Sequence, residues 1–414
     1  MRLRRLLSRA ASVSRLRVLV ALLVLIALMA LSTNYGLYYR VTYIFSLVLV
    51  VSYAWTWLNG RWIKASVDRN LHATSVGGWI EERLSIANHS RILPVGWVEV
   101  NQESNMPGHE GGMVISLPRA SLGTWTLRTQ CKQRGKFNLG RVGVVSSDPL
   151  GLFRIKRVLG EPTPFLVYPA MADLPNLSLP VSELPGEAAM RQFTRVATPS
   201  ASGLRDYAPG DTLNQIHWKS TARMGKLMVK EFDLEQSTKL WLVLDMQRGV
   251  QAGEAAESTE EYGTTVAASV ARKYLEAGLS VGLIAYGDRE WVLKPNHGTG
   301  QLPLILESLA LIRGEGSMRL EQVLAAEEYK FDRYSSIAVI TPSTDESWVH
   351  SMRDLLQKRI KVSAILLEAQ TFGSGDTILP LVGTLAAYQI PSCVVRKGDA
   401  LGQALDLGHR RGMI

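Results

Sequence analysis

Residues 202–233 hold the densest collection of reactive side chains in the sequence: Arg205, Asp206, Tyr207, Asp211, His217, Trp218, Lys219, Arg223, Lys230 and Glu231. Two kinds of chemistry fit them. Arg205, His217, Lys219 and Arg223 could converge on an anion or an acidic peptide, because guanidinium and ammonium groups supply charge-assisted donors for phosphate and carboxylate oxygens. Alternatively, Arg205 and Arg223 pair with Asp206, Asp211 and Glu231 in a network that locks this stretch to the elements after it. Acids and bases come in nearly equal number, and that balance favours the internal clasp. A clasp sets a stability expectation. Arg223→Ala should cost roughly 2–4 kcal/mol, and Trp218→Ala a similar amount through lost packing.

Local signals predict how the stretch is held. Pro209-Gly210 reads as a turn, and Asp211 stands where it can N-cap a helix beginning at Thr212. Ile216, Lys219, Ser220 and Arg223 would then share one stripe, with His217 and Thr221 beside it. Gly225 suits the position just past the helix end, and residues 226–233 alternate as a strand.

Other reactive arrangements are sparse. The sequence has no GxxxxGK[ST], no GxGxxG opening a helix after a strand, no HExxH and no GxSxG. Its seven histidines show no metal-ligand spacing. Cys131 and Cys393 are far apart and form no CxxC, which suits a reducing compartment. Cys393 falls in an apolar strand pattern, where a thiol is ordinarily buried and inert.

The net charge of +9 comes from 46 Lys and Arg against 37 Asp and Glu. Nine of the basic residues precede the first acid, Asp68, so the rest of the chain is balanced. A polyanion-binding domain carries its excess on a folded face, so no nucleic-acid partner is expected. Residues 1–17 form a basic segment with six arginines, and residues 18–58 carry two apolar runs, 18–31 and 41–58. Extended through residues 32–39 the first reaches about 22 residues, and it and the second can each span about 30 Å of hydrocarbon as a helix. Arg61, Lys64 and Arg69 follow the second run, so the positive-inside rule predicts a multi-pass anchor in the inner membrane with both ends in the cytoplasm. Tyr35, Tyr38, Tyr39 and Tyr43 would mark the outer interface, and Trp55, Trp57 and Trp62 the inner one. The competing reading is a signal peptide cleaved near residues 27–30, which would leave 41–58 as a single anchor.

Three further segments follow. Residues 65–160 show short alternating runs between turn signals, the pattern of a small all-β sandwich. Residues 161–200 carry seven of the 17 prolines and read as an extended surface connector. Residues 238–414 alternate apolar strands (240–244, 281–286, 337–340, 362–367, 393–395) with helical patterns (260–276, 302–312, 320–329, 347–358), which predicts a doubly wound α/β domain. In such a sheet functional groups collect at the carboxyl ends of the strands, so the turn after Leu244 draws attention.

The ordered elements Arg205-x-Tyr207-x-x-Gly210-Asp211, Ile216-x-Trp218, Ala222-Arg223 and Lys230 resemble the signature of the domain-of-unknown-function 58 family. Arg134-Gly-Lys-Phe137, Asp148-Pro-Leu-Gly-Leu-Phe153 and the membrane hairpin are similar to that family as well. Asn214 departs from it, standing where a basic residue is expected. The resemblance implies a bacterial membrane-anchored protein whose α/β part is like a von Willebrand factor A domain. It also implies a MoxR-type AAA+ ATPase as partner, with a transglutaminase-like membrane protein as a further one. In von Willebrand domains Asp-x-Ser-x-Ser builds an oxygen shell for Mg²⁺. Here Asp245-Met246-Gln247-Arg248-Gly249 lacks both serines, and Thr341, Ser343 and Asp345 could supply only outer groups. No metal or cofactor is expected, and Asp245 is expected to be a strand-end residue satisfied by neighbouring backbone. The function expected is a non-catalytic adaptor that meets the lipid bilayer through its anchor. The alternative is a metal-dependent or nucleophilic hydrolase using the region of Arg205 to Arg223, or a regulator of the transglutaminase-like protein.

Overall fold

The computed structural model describes residues 2–69, 74–91, 94–109, 112–159, 161–181, 203–207, 216–231 and 238–405. It divides into two compact units, Met1–Tyr168 and Pro169–Ile414.

The first unit opens with helices Arg2–Thr33 and Gly36–Trp62. Within them Leu16–Thr33 and Gly36–Trp62 are long and apolar enough to cross a membrane. Asn34 makes the reversal between them at φ 50°, a left-handed conformation that its short polar side chain tolerates. The basic start is helical and continuous with the first apolar stretch. The second helix runs past residue 58 to Trp62 and passes directly into a strand at Ile63.

Two sheets follow. Ile63–Arg69, Trp79–Asn88 and Leu122–Gln130 form an antiparallel three-stranded sheet. The other runs in the order Thr74–Ser75, Thr163–Tyr168, Gly135–Ser147, Val95–Ser104, Gly112–Leu117, with Arg154–Leu159 also paired to Gly135–Ser147. Ile63, Leu84 and Ile86 of the first sheet meet Val98, Val100, Ile115, Val142 and Val144 of the second in one core. Alternation puts one face of each strand into that core, which fixes register and makes a sandwich. Its limits are Ile63 and Tyr168, wider than the expected 65–160. Pro164 sits at the start of its strand, beyond the short neighbouring strand, where no donor is missed.

The connector expected over 161–200 is corrected on the same ground. After the strand Thr163–Tyr168, residues 169–181 strap the helix Thr259–Glu276 instead of lying free on the surface. Ala172 N–H donates to Ser269 Oγ at 2.9 Å, and Leu179 N–H donates to the Tyr274 hydroxyl at 2.7 Å. Leu174, Leu177 and Leu179 are buried. Carbonyls of the strap accept from the same helix, Ala172 from Arg272 and Pro175 from Lys273. Residues 182–200 lie outside the described residues.

The second unit is built on a six-stranded sheet in the order Glu290–Asn296, Ser280–Tyr286, Lys239–Leu244, Ser335–Thr341, Lys361–Leu367, Ser392–Val395. All pairs are parallel except the edge strand Glu290–Asn296. The central strands are apolar on both faces because helices cover both, among them Thr259–Glu276 and Ser347–Gln357. Every side chain of Leu240 through Leu244 is buried. The parallel strands therefore end together, and the segments after them meet at one edge.

Candidate functional site

Two places hold the residues singled out by sequence. The first is a hairpin. Gly203–Asp206 pairs antiparallel with Met228–Glu231, which sets Arg205 opposite Val229 and Leu204 opposite Lys230. Tyr207, half-buried, donates its N–H to the Leu227 carbonyl. Between the strands runs a short helix, Trp218–Met224. His217 caps it: its Nδ1 accepts from the Ser220 N–H at 3.1 Å, the arrangement of the imidazole tautomer with its proton on Nε2. Gly225 closes it at φ 69°, the left-handed position expected of a terminal glycine.

The expected helix from Thr212 is not what forms. Ile216 is buried in a β-bridge and His217 N–H donates to the Met228 carbonyl, so the chain is extended up to the cap and the helix starts at Trp218. Gly210, Asp211 and Asn214 lie outside the described residues. Of the clasp residues, Asp206, Trp218 and Arg223 have described side chains, and those of Arg205, Asp211 and Glu231 lie outside the described ones. No residue of the helix is buried, Trp218 is 66% exposed, and Lys219 and Arg223 are exposed. Asp206 pairs with Lys226 at 2.7 Å, and that pair is open to solvent. Exposed pairs of this kind contribute about 0–1 kcal/mol. What anchors the hairpin is Ile216 and Met228, which turn inward, together with Thr221 Oγ1 accepting from Met228 N–H.

The second place is the carboxyl end of the parallel sheet. Asp245 follows the strand Lys239–Leu244 and is 5% exposed. Its Oδ2 accepts from Thr341 Oγ1 at 2.6 Å and its Oδ1 from Gln247 N–H at 3.0 Å. Burial holds its carboxyl above the usual carboxylate range, opposed by the Thr341 and Gln247 hydrogen bonds. Thr341 Oγ1 also accepts from Ser343 N–H, and Ser343 Oγ accepts from Asp345 N–H. These groups therefore cap one another along the loop. Asp345 is exposed and accepts from Ser347 N–H, so its carboxylate is turned to the following helix. Arg248 is exposed in a short 3₁₀ turn, with its N–H on Gly316. The sequence did not point to Gln251, which donates to the Asp245 carbonyl and accepts from Thr259 Oγ1, bracing the loop where a serine-bearing motif would stand. No amphipathic period or spacing marks a bridging glutamine, so nothing in the pattern could have found it. Among the described residues no three His, Cys, Asp or Glu side chains gather as a metal-ion shell.

A family model described as "Protein of unknown function DUF58" matches residues 203–390. An uncharacterised protein, YeaD, of Bacillus subtilis is 25% identical over 221 residues, which covers 52% of this chain and 53% of that protein. The chain thus spans about half the length of the curated relative it matches. Among solved structures, a CARDB domain from Pyrococcus furiosus aligns at 14% identity over 25% of this chain and 91% of its own, with a TM-score of 0.19. A family 123 glycoside hydrolase from Clostridium perfringens aligns at 10% identity over 81% of this chain and 72% of its own, also at 0.19. Scores this low bear on neither fold nor function.

Proposed function

We propose, from the premise that residues 203–390 belong to the DUF58 family, that this chain is a non-catalytic membrane adaptor whose signature hairpin docks a partner. The observation that carries the reading is the outward placement of that hairpin. A short helix bearing Trp218, Lys219 and Arg223 stands exposed on an apolar footing of Ile216 and Met228. An exposed tryptophan beside cations is a common anchor of interfaces, where aromatic and arginine side chains concentrate the binding energy. At the second place Asp245 has hydrogen-bond partners on both oxygens, a role in holding the loop rather than in turning over a substrate. The strand order, with its one antiparallel edge strand and an aspartate at the end of the central strand, supports a von Willebrand factor A-like reading of the unit. The two apolar helices support a multi-pass inner-membrane anchor. The partner the family resemblance points to is a MoxR-type AAA+ ATPase.

The test is capture. The full chain, tagged and extracted in detergent, is compared with Trp218→Ala and Arg223→Glu for the proteins it retains. An AAA+ ATPase retained by the parent and lost from both variants supports the reading. Equal retention by all three contradicts a docking role for the hairpin.

A further inference from the structure

The end of the sandwich that adjoins the second apolar helix differs in charge from the rest of it. Ile63, where the helix becomes a strand, pairs with Asn88, and His89 N–H donates to the Trp62 carbonyl. Ala120 N–H donates to the Ser90 carbonyl, and Phe153 packs edge-on against Tyr53 of the helix at 5.6 Å between ring centroids. Residues 61–65, 86–91, 94–96, 116–123 and 146–156 thus share this end. They contain six Lys and Arg and a single acid, Asp148. Asp148 is buried, and its oxygens accept from Leu150 and Phe153 N–H groups of its own loop. Lys64, Arg91, Arg119 and Arg154 are exposed. Two large apolar side chains stand out among them: Leu122 is 69% exposed and Leu150 56%.

The level of Tyr53 along its helix matters. The first helix turns back at Asn34, and Arg17, the last cation before its apolar run, lies as far before Asn34 as Val51 lies after it. Side by side, the two helices put Arg17 level with Val51, two residues short of Tyr53. Arginine marks the interface at which a span ends. The loop that reaches Tyr53 therefore stands at headgroup depth.

We infer that this end of the sandwich is seated on the anionic leaflet of the bilayer, with Leu122 and Leu150 inserted at the interface and Arg91, Arg119 and Arg154 on lipid phosphates. Basic side chains near such a surface gain from its negative potential, and leucines among them gain by leaving water. The inference rests on the reading of the two helices as spans.

The full chain is reconstituted in vesicles of three parts phosphatidylcholine to one part phosphatidylglycerol. An environment-sensitive fluorophore is attached at Leu150→Cys, Leu122→Cys, Gln130→Cys or Leu47→Cys. Both native cysteines are buried, and burial pushes the Cys131 thiol up to about 11, so labelling falls on the introduced site. Gln130 lies at the other end of the sheet from Leu122, roughly 25 Å away at the rise of a strand. The readout is quenching by lipid spin-labelled near the headgroup. Probes at 150 and 122 should shift to the blue and be quenched, and the probe at 130 should not. Reversing Arg91, Arg119 and Arg154 to Glu should release both probes, each cation counting for about a five-fold change in surface partition. A probe at 47 that is shielded in the bilayer while 150 and 122 behave like 130 would overturn the inference and leave the spans intact. A probe at 47 exposed to water would remove the spans and the inference together.

Discussion

The signature hairpin and the Asp245 corner belong to one unit and were both singled out by residue type, yet they are opposite in construction. The hairpin's described charges, Asp206, Lys219, Arg223 and Lys226, are exposed above two inward apolar side chains, Ile216 and Met228. The corner holds its one carboxylate inward, with a donor for each oxygen. A buried carboxylate costs stability unless every oxygen is met, so removing one of its donors is expensive. An exposed cation loses little when removed, so the hairpin can change without cost to the fold. The contrast separates what holds this unit together from what it can offer to a partner.

The largest effect should come from the corner. Thr341→Val keeps the shape but removes the donor to Asp245 Oδ2 and the acceptor for Ser343 N–H, and should cost about 2–3 kcal/mol in denaturant unfolding. Next is Gly225→Ala. The space around a Cβ there is open, so the cost comes from the left-handed backbone alone, about 1 kcal/mol. Asp245→Asn sharpens the comparison through pH. The carboxyl sits above its unfolded range, so the wild type is most favoured when protonated and loses that contribution as pH rises through the folded value. The variant should therefore be at least as stable as wild type at neutral pH, with the gain fading as pH falls through the ordinary aspartate range. A variant less stable at pH 7 than at pH 4, relative to wild type, would break the account of the corner. The smallest effect belongs to Arg223→Ala, within about 0.5 kcal/mol.

Much of the α/β unit was legible. Residues 240–244, 337–340 and 362–367 are continuous apolar runs, which a sheet covered on both faces demands, and each is a buried strand. The edge strand Glu290–Asn296 was not legible, because its apolar part is only Trp291–Leu293 and it contains Pro295, which demotes a run to an edge or to no strand. The helix Leu379–Ala387 was missed because it is apolar nearly all round and so carries no stripe. In the hairpin, sequence gave the closing glycine correctly but misjudged Trp218. A large aromatic at helical spacing reads as core, but this helix is only seven residues long and its facing is set by the β-bridge before it, which no periodicity within the helix records. At Asp245 the missing serines were visible, whereas the bracing by Gln251 and Thr259 depends on how two loops meet.

The most direct measurement pairs two readings on one preparation of the full chain carrying Trp218→Ala. Unfolding by denaturant reports whether the hairpin is structural, and retention of an AAA+ ATPase, the partner proposed above, reports whether it docks. Trp218 is two-thirds exposed, so the unfolding midpoint should stay at the wild-type value while the partner is lost. A midpoint lowered by the equivalent of roughly 2–4 kcal/mol, with partner retention falling only in step with folding, would contradict the docking account and restore the clasp.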